Sequence, residues 1–196
     1  MTKDFSALVG SRICHDLISP IGAISNGVEL LAMTDGASSA EMSLISESVE
    51  NANARIRFFR IAFGGAKADQ LVSRAEVLSV LAAMAQSGRH TFYWQVEQDN
   101  QRRNVRIAFL LLLCMESALP TGGDLTVNKD GDEWVVTAQS NRLKYDPELW
   151  DGMIGLTPEI DHTAAQVQFA MLPEIIADSG RKLSVTHTDS QIVARF

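Results

Sequence analysis

His15 stands beside Asp16, with Ser19 one helical turn on and Pro20 directly after it, in the run Ser11-Arg12-Ile13-Cys14-His15-Asp16-Leu17-Ile18-Ser19-Pro20. An imidazole that reacts with phosphorus must be accessible and held in one tautomer. A neighbouring carboxylate does this: by accepting the Nδ1 proton it leaves the Nε2 lone pair as the nucleophile. A hydroxyl one turn away can hydrogen-bond a phosphoryl oxygen or a water. The expectation is that His15 accepts a phosphoryl group, with Asp16 and Ser19 as its catalytic neighbours.

The elements that would position these groups are helical. Ile13, Leu17, Ile21, Ile24, Val28 and Leu31 recur at spacings of four and three, as do Ile45, Val49, Ala52, Ile56, Phe59 and Phe63. Thr34-Asp35-Gly36-Ala37-Ser38-Ser39 reads as the turn and N-cap between two helices, and Gly64-Gly65 as the stop. Residues 4–65 therefore form a helical hairpin. Two helices bury too little to stand alone, and Leu30 and Leu44 broaden the apolar face. A copy of the same hairpin would complete a dimeric four-helix bundle; packing on the second half of the same chain is the alternative.

At about 100° per residue, His15 lies about 160° from the mean direction of the first seam and shares its outer stripe with Arg12, Ser19, Gly22 and Asn26. Pro20 cannot donate to the Asp16 carbonyl, so the helix is expected to bend beside the site. A turn centred near Gly36 brings Arg55 to Phe59 level with His15, where Arg55, Arg57 and Arg60 would supply positive potential; a solvated face is the plainer reading of these arginines. Leu8, Ile18, Phe58 and Phe59 could form an apolar docking patch or serve as core. The partner-facing candidates are thus Leu8, Arg12, Ile18, Gly22, Asn26, Arg55, Phe58 and Phe59.

From about residue 70 the pattern changes. A helix over 74–86 precedes a strand over 91–96 and a strongly apolar helix over 105–119. Strands over 125–129 and 134–139 turn at Asp130-Gly131-Asp132; a helix over 164–177 and strands over 183–188 and 192–196 follow. The fold class is α+β: a hairpin domain over 1–67, then an α/β sandwich over 68–196 with helices on one face of an antiparallel sheet.

Composition removes several functions. With 17 Lys and Arg against 24 Asp and Glu, the chain carries a net charge of -7, which argues against nucleic-acid binding. The longest apolar run, 107–115, is too short to span a bilayer, and the start of the chain lacks a signal pattern. Cys14 and Cys114, far apart, point to a reduced, cytoplasmic setting. No metal site is expected: Cys14 and His15 point different ways without a second ligand pair, and His90, His162 and His187 form no motif.

His15-Asp16-Leu17-Ile18-Ser19-Pro20, followed by Asn26-Gly27-Val28-Glu29-Leu30-Leu31, resembles the phosphoacceptor box of sensor histidine kinases. That resemblance implies a dimerising four-helix bundle with His15 phosphorylated, Asp16 its acidic partner and Ser19 its hydroxyl. The second half resembles the kinase ATPase domain in layout alone. Leu113 and Ser117 stand where that family has asparagines, no Asp-x-Gly-x-Gly loop occurs around 145–155, and 161–168 contains no glycine. Without backbone cradles for phosphate, no bound cofactor is expected.

A kinase-like phosphoacceptor hairpin joined to an eroded ATPase domain is similar to the ChpT-like histidine phosphotransferases of alphaproteobacteria. The resemblance implies a homodimer that relays phosphoryl groups from the receiver domain of a hybrid histidine kinase to response-regulator receivers of the CtrA and CpdR type. Mg²⁺ would come with the receiver. The competing expectation is a non-catalytic pseudo-kinase that sequesters receivers or blocks a kinase.

Overall fold

The computed structural model describes residues 4–33, 39–67, 69–156 and 161–196. The turn expected over 34–39 lies almost wholly outside them. Helix α1 (Ser6–Met33) starts where the Asp4 carboxylate accepts the Ser6 N–H at 2.9 Å, and runs through a buried Pro20. Helix α2 (Ser39–Ala62) packs along it. At Gly27 an added Cβ would lie 2.6 Å from Ile45 Cγ1, so the two backbones approach closely where glycine removes the side chain.

The rest of the chain is built from β1 (Leu71–Val72), α3 (Arg74–Ser87), β2 (His90–Trp94), β3 (Asn100–Gln101), α4 (Arg102–Ala118), β4 (Gly123–Asp130), β5 (Glu133–Gln139), α5 (Pro147–Met153), α6 (Val167–Ser179), β6 (Ser184–His187) and β7 (Gln191–Arg195). A short 3-10 turn, Ala164–Gln166, leads into α6. The main sheet has the order β2-β4-β5-β7-β6, and β1 pairs with β3 in a separate two-stranded ribbon. Gly131, at φ +59°, turns the β4–β5 hairpin where Asp130-Gly131-Asp132 predicts it.

The expected antiparallel sheet needs one correction: β2 runs parallel to β4. These neighbours are joined by a crossover that includes α4, and a helical crossover returns the chain to the same end of the sheet. The α5 helix and the β1–β3 ribbon are also absent from the periodicity reading. Both are too short to show a hydrophobic period.

Leu125, Val127, Trp134, Val136, Ala138, Ile192 and Ala194 are buried from one face of the sheet, alternating as the pleat requires. Helix α4 packs on that face and is buried almost all round, as its unbroken apolar run demands. The core does not stop at residue 67. Phe58, Phe59, Ile61 and Ala62 of α2 belong to the same cluster as Phe109, Leu110 and Trp94. Two arginines of α4 lock this junction: Arg102 donates to the carbonyls of Gly65 at 3.0 Å and Arg60 at 2.5 Å, and Arg106 to that of Ala62 at 3.2 Å. The Arg60 and Ala62 carbonyls are among those that the end of α2 leaves without helical partners.

The other part of the hairpin face stays open. Ile18, Ile21, Val28, Leu30, Val49 and Ile56 are all exposed. Among the described residues, no helix is long and apolar enough to cross a membrane.

Candidate functional site

His15 projects from α1 with 81% of its side chain exposed. Its Nδ1 lies 3.0 Å from Asp16 Oδ1. A carboxylate can only accept, so Nδ1 carries the proton and Nε2 presents its lone pair outward. Among the described residues, Nε2 has no hydrogen-bond partner. Ser19 is exposed one turn along the helix.

Asp16 is held from its other side. Its Oδ2 accepts from Arg12 Nε at 2.8 Å, and Arg55 Nη1 stands 3.9 Å away. Arg55 in turn donates from Nε to Asn51 Oδ1 at 3.1 Å. The Asp16–Arg55 and Gly27–Ile45 contacts share the antiparallel register that a turn near Gly36 predicts. Arg12 is only 17% exposed, and its Nη1 donates to the Ala165 carbonyl at 2.6 Å. It is engaged within the chain, although helical periodicity places it on the outer stripe. The turn before α6 covers that part of the helix.

Two further expectations are corrected. Phe58 and Phe59, offered as docking residues, are 0% and 3% exposed and lie under α3 and α4, so no visiting protein reaches them. Arg57 donates to Ser79 Oγ at 3.0 Å and Arg60 to Glu76 Oε1 at 2.8 Å, both on α3. Neither supplies charge at His15. Of the remaining docking candidates, Ile18, Gly22 and Asn26 are exposed, and Leu8 is half-buried.

Behind Asp16 an open cleft of about 640 Å³ is lined by Arg12, Arg55, Arg89, His90, Glu116 and Ser117, among others. Glu116 was missed in the sequence; it directly follows the apolar run 107–115 and stands on the cleft wall with 20% of its side chain exposed. Burial raises its pKa from 4.5 to about 7, opposed by Arg12 and Arg55 and reinforced by Asp16. His90 Nδ1 lies 4.0 Å away, and its Nε2 donates to the Leu119 carbonyl at 3.2 Å. Burial lowers the His90 pKa, helped by Arg89 and opposed by the Leu119 bond. Burial thus pushes both groups toward their neutral forms.

A carboxyl that holds its proton more tightly in the fold stabilises below its unfolded pKa, and that contribution is lost as pH rises through the folded value. Relative to Glu116→Gln, the native chain should lose roughly 2–3 kcal/mol between pH 5 and pH 8. Urea melts at the two pH values check this; a pH-independent difference would contradict it.

Among the described residues, no cluster of three or more His, Cys, Asp or Glu could hold a metal ion. Both cysteines are free, Cys14 exposed and Cys114 buried.

Residues 74–191 match the family model "Histidine phosphotransferase C-terminal domain", which spans the sandwich and not the helix carrying His15. Protein phosphotransferase ChpT of Brucella abortus (strain 2308) is 35% identical over 198 residues, covering 97% of this chain and 93% of its own. The chain belongs to the histidine phosphotransferase family. A solved bacterial phosphotransferase superposes on this one with a TM-score of 0.84 at 33% identity, covering 100% of this chain and 98% of its own. Its likeness extends the relationship across the hairpin and the sandwich together.

Proposed function

We propose that this phosphotransferase is a relay intermediate. It takes a phosphoryl group from the receiver aspartate of a hybrid histidine kinase onto His15 and passes it to response-regulator receivers of the CtrA and CpdR type, without using ATP. The observation that carries the reading is the exposed imidazole whose Nδ1 is tied to Asp16, with Nε2 outward.

In the forward step the Nε2 lone pair forms the N–P bond while the P–O bond to the receiver aspartate breaks. The aspartate leaves as a carboxylate with the electron pair. Nδ1 keeps its proton, so the phosphorylated ring is cationic, and Asp16 stabilises it. The second transfer is the reverse step onto another carboxylate. Such transfers rest on alignment and charge stabilisation, with Mg²⁺ supplied by the receiver.

Two features support independence from ATP. Leu113 is buried, and the Ser117 hydroxyl donates back to the Cys114 carbonyl at 2.6 Å, so neither position offers the amide found in kinases. The segment before α6 has no glycine and is folded into the Thr163 capping turn. Ile18, Gly22 and Asn26 would receive the visiting domain. Nothing lies within 4 Å of a Cβ added at Gly22, so internal packing gives no reason for a helix-weakening glycine there.

The exposed apolar face of the hairpin, with Ile21, Val28, Val49 and Ile56, supports pairing with a second copy as a four-helix bundle. Replacing Val28 and Val49, both exposed in the single chain, with aspartate should weaken a dimer on the order of 10³-fold, since four valines leave the interface. Light scattering across a concentration series measures this; a native chain that stays monomeric at high concentration removes the bundle.

The relay itself is tested by mixing the purified chain with phosphorylated receivers and looking for acid-labile, base-stable phosphate. Label acquired from γ-labelled ATP with no partner present would overturn the ATP-independent reading.

A further inference from the structure

Arg12 joins two parts of the fold that the chemistry at His15 does not obviously need to connect. Its Nε donates to Asp16 Oδ2 at 2.8 Å and its Nη1 to the Ala165 carbonyl at 2.6 Å. Ala165 sits in the turn before α6, which is fixed in its own right. The Gln166 side chain accepts from the Thr163 N–H at 3.0 Å, and Gln168 Nε2 donates to the same Ala165 carbonyl at 3.1 Å. From there a continuous line of contacts runs through the Arg12 guanidinium and both oxygens of Asp16 to Nδ1 of His15.

The geometry of each link limits rotation. A guanidinium is a planar fork, and using two of its nitrogens on two acceptors fixes its plane. Asp16 then has one oxygen held by Arg12 and the other facing the imidazole. Arg55, at 3.9 Å, adds charge but no hydrogen bond to Asp16. Other charged or titratable groups in the cleft are Glu116 of α4, His90 of β2 and Arg89 just before it.

We propose that Arg12 is a positioning residue through which the sandwich fixes the Asp16–His15 pair. A domain without a nucleotide role would then contribute to phosphotransfer by anchoring the carboxylate that sets the His15 tautomer. This rests on the reading of His15 as the phosphoacceptor.

The test uses potassium phosphoramidate, which needs no partner protein: Nε2 forms the N–P bond as the donor P–N bond breaks and ammonia leaves. Three quantities are measured on the full chain: the rate of His15 phosphorylation, the His15 tautomer from long-range ¹H–¹⁵N correlation, and the melting temperature. Arg12→Met should slow phosphorylation about tenfold, the scale of one charge-assisted hydrogen bond, and reduce the Nδ1–H tautomer, as Asp16→Asn should in a parallel measurement. Arg12→Lys, which keeps the charge without the fork, should recover only part of both.

A lower melting temperature with unchanged rate and tautomer would make Arg12 merely structural and overturn the proposal. So would a lysine variant equal to the native chain, which is the deciding measurement if Arg12→Met does not fold. Phosphorylation at a residue other than His15 would sink the phosphoacceptor reading itself. Phosphorylation at His15 that ignores Arg12 would sink this proposal alone.

Discussion

His15→Ala should abolish labelling of the chain by phosphorylated receivers, a loss of at least about 10³-fold, because it removes the imidazole whose Nε2 faces outward beside Asp16. The side chain is 81% exposed and makes one contact, to Asp16, so stability should change by no more than about 0.5 kcal/mol. The variant should still bind receivers, since Ile18, Gly22 and Asn26 are untouched. Receiver labelling assays with a thermal melt and a binding titration separate the outcomes. Label that survives the substitution would place the phosphoacceptor elsewhere. A native chain that binds receivers and never takes label would make it a sequestering module.

Phe58→Ala should cost roughly 3–5 kcal/mol, the range for truncating a fully buried aromatic. Its ring lies 4.7 Å from that of Phe109 on α4 and meets Phe59 edge-on at 6.3 Å, so the cavity would open where α2 joins the sandwich. A typical domain is stable by about 5–15 kcal/mol, so the loss would be a large fraction of the total. Ile18→Ala, by contrast, removes a side chain that is 68% exposed and should leave stability within about 0.5 kcal/mol while weakening receiver binding. Urea unfolding of both variants checks the contrast. A loss below about 1 kcal/mol for Phe58→Ala would mean that the hairpin and the sandwich do not share a core.

The hairpin was legible because its signals are local and periodic. Ile13 to Leu31 and Ile45 to Phe63 define two helices by spacing alone, and the same arithmetic turns His15 away from the seam. The β4–β5 hairpin was legible from Asp130-Gly131-Asp132, since a turn carries its own chemistry. The parallel β2–β4 pair was not, because strand direction depends on where a crossover lands.

Within the site, adjacency in sequence determined the His15–Asp16 pair. Tertiary structure alone decided which charges surround that pair. It buried Phe58 and Phe59, turned Arg57 and Arg60 toward α3, brought Arg12 onto Ala165 some 153 positions away, and placed Glu116 behind Asp16. Periodicity gives the angle of a residue about its own helix, and nothing in that angle says which neighbour covers it. Burial and long-range charge pairing follow from how helices and sheet pack, so they enter only when the whole chain has folded.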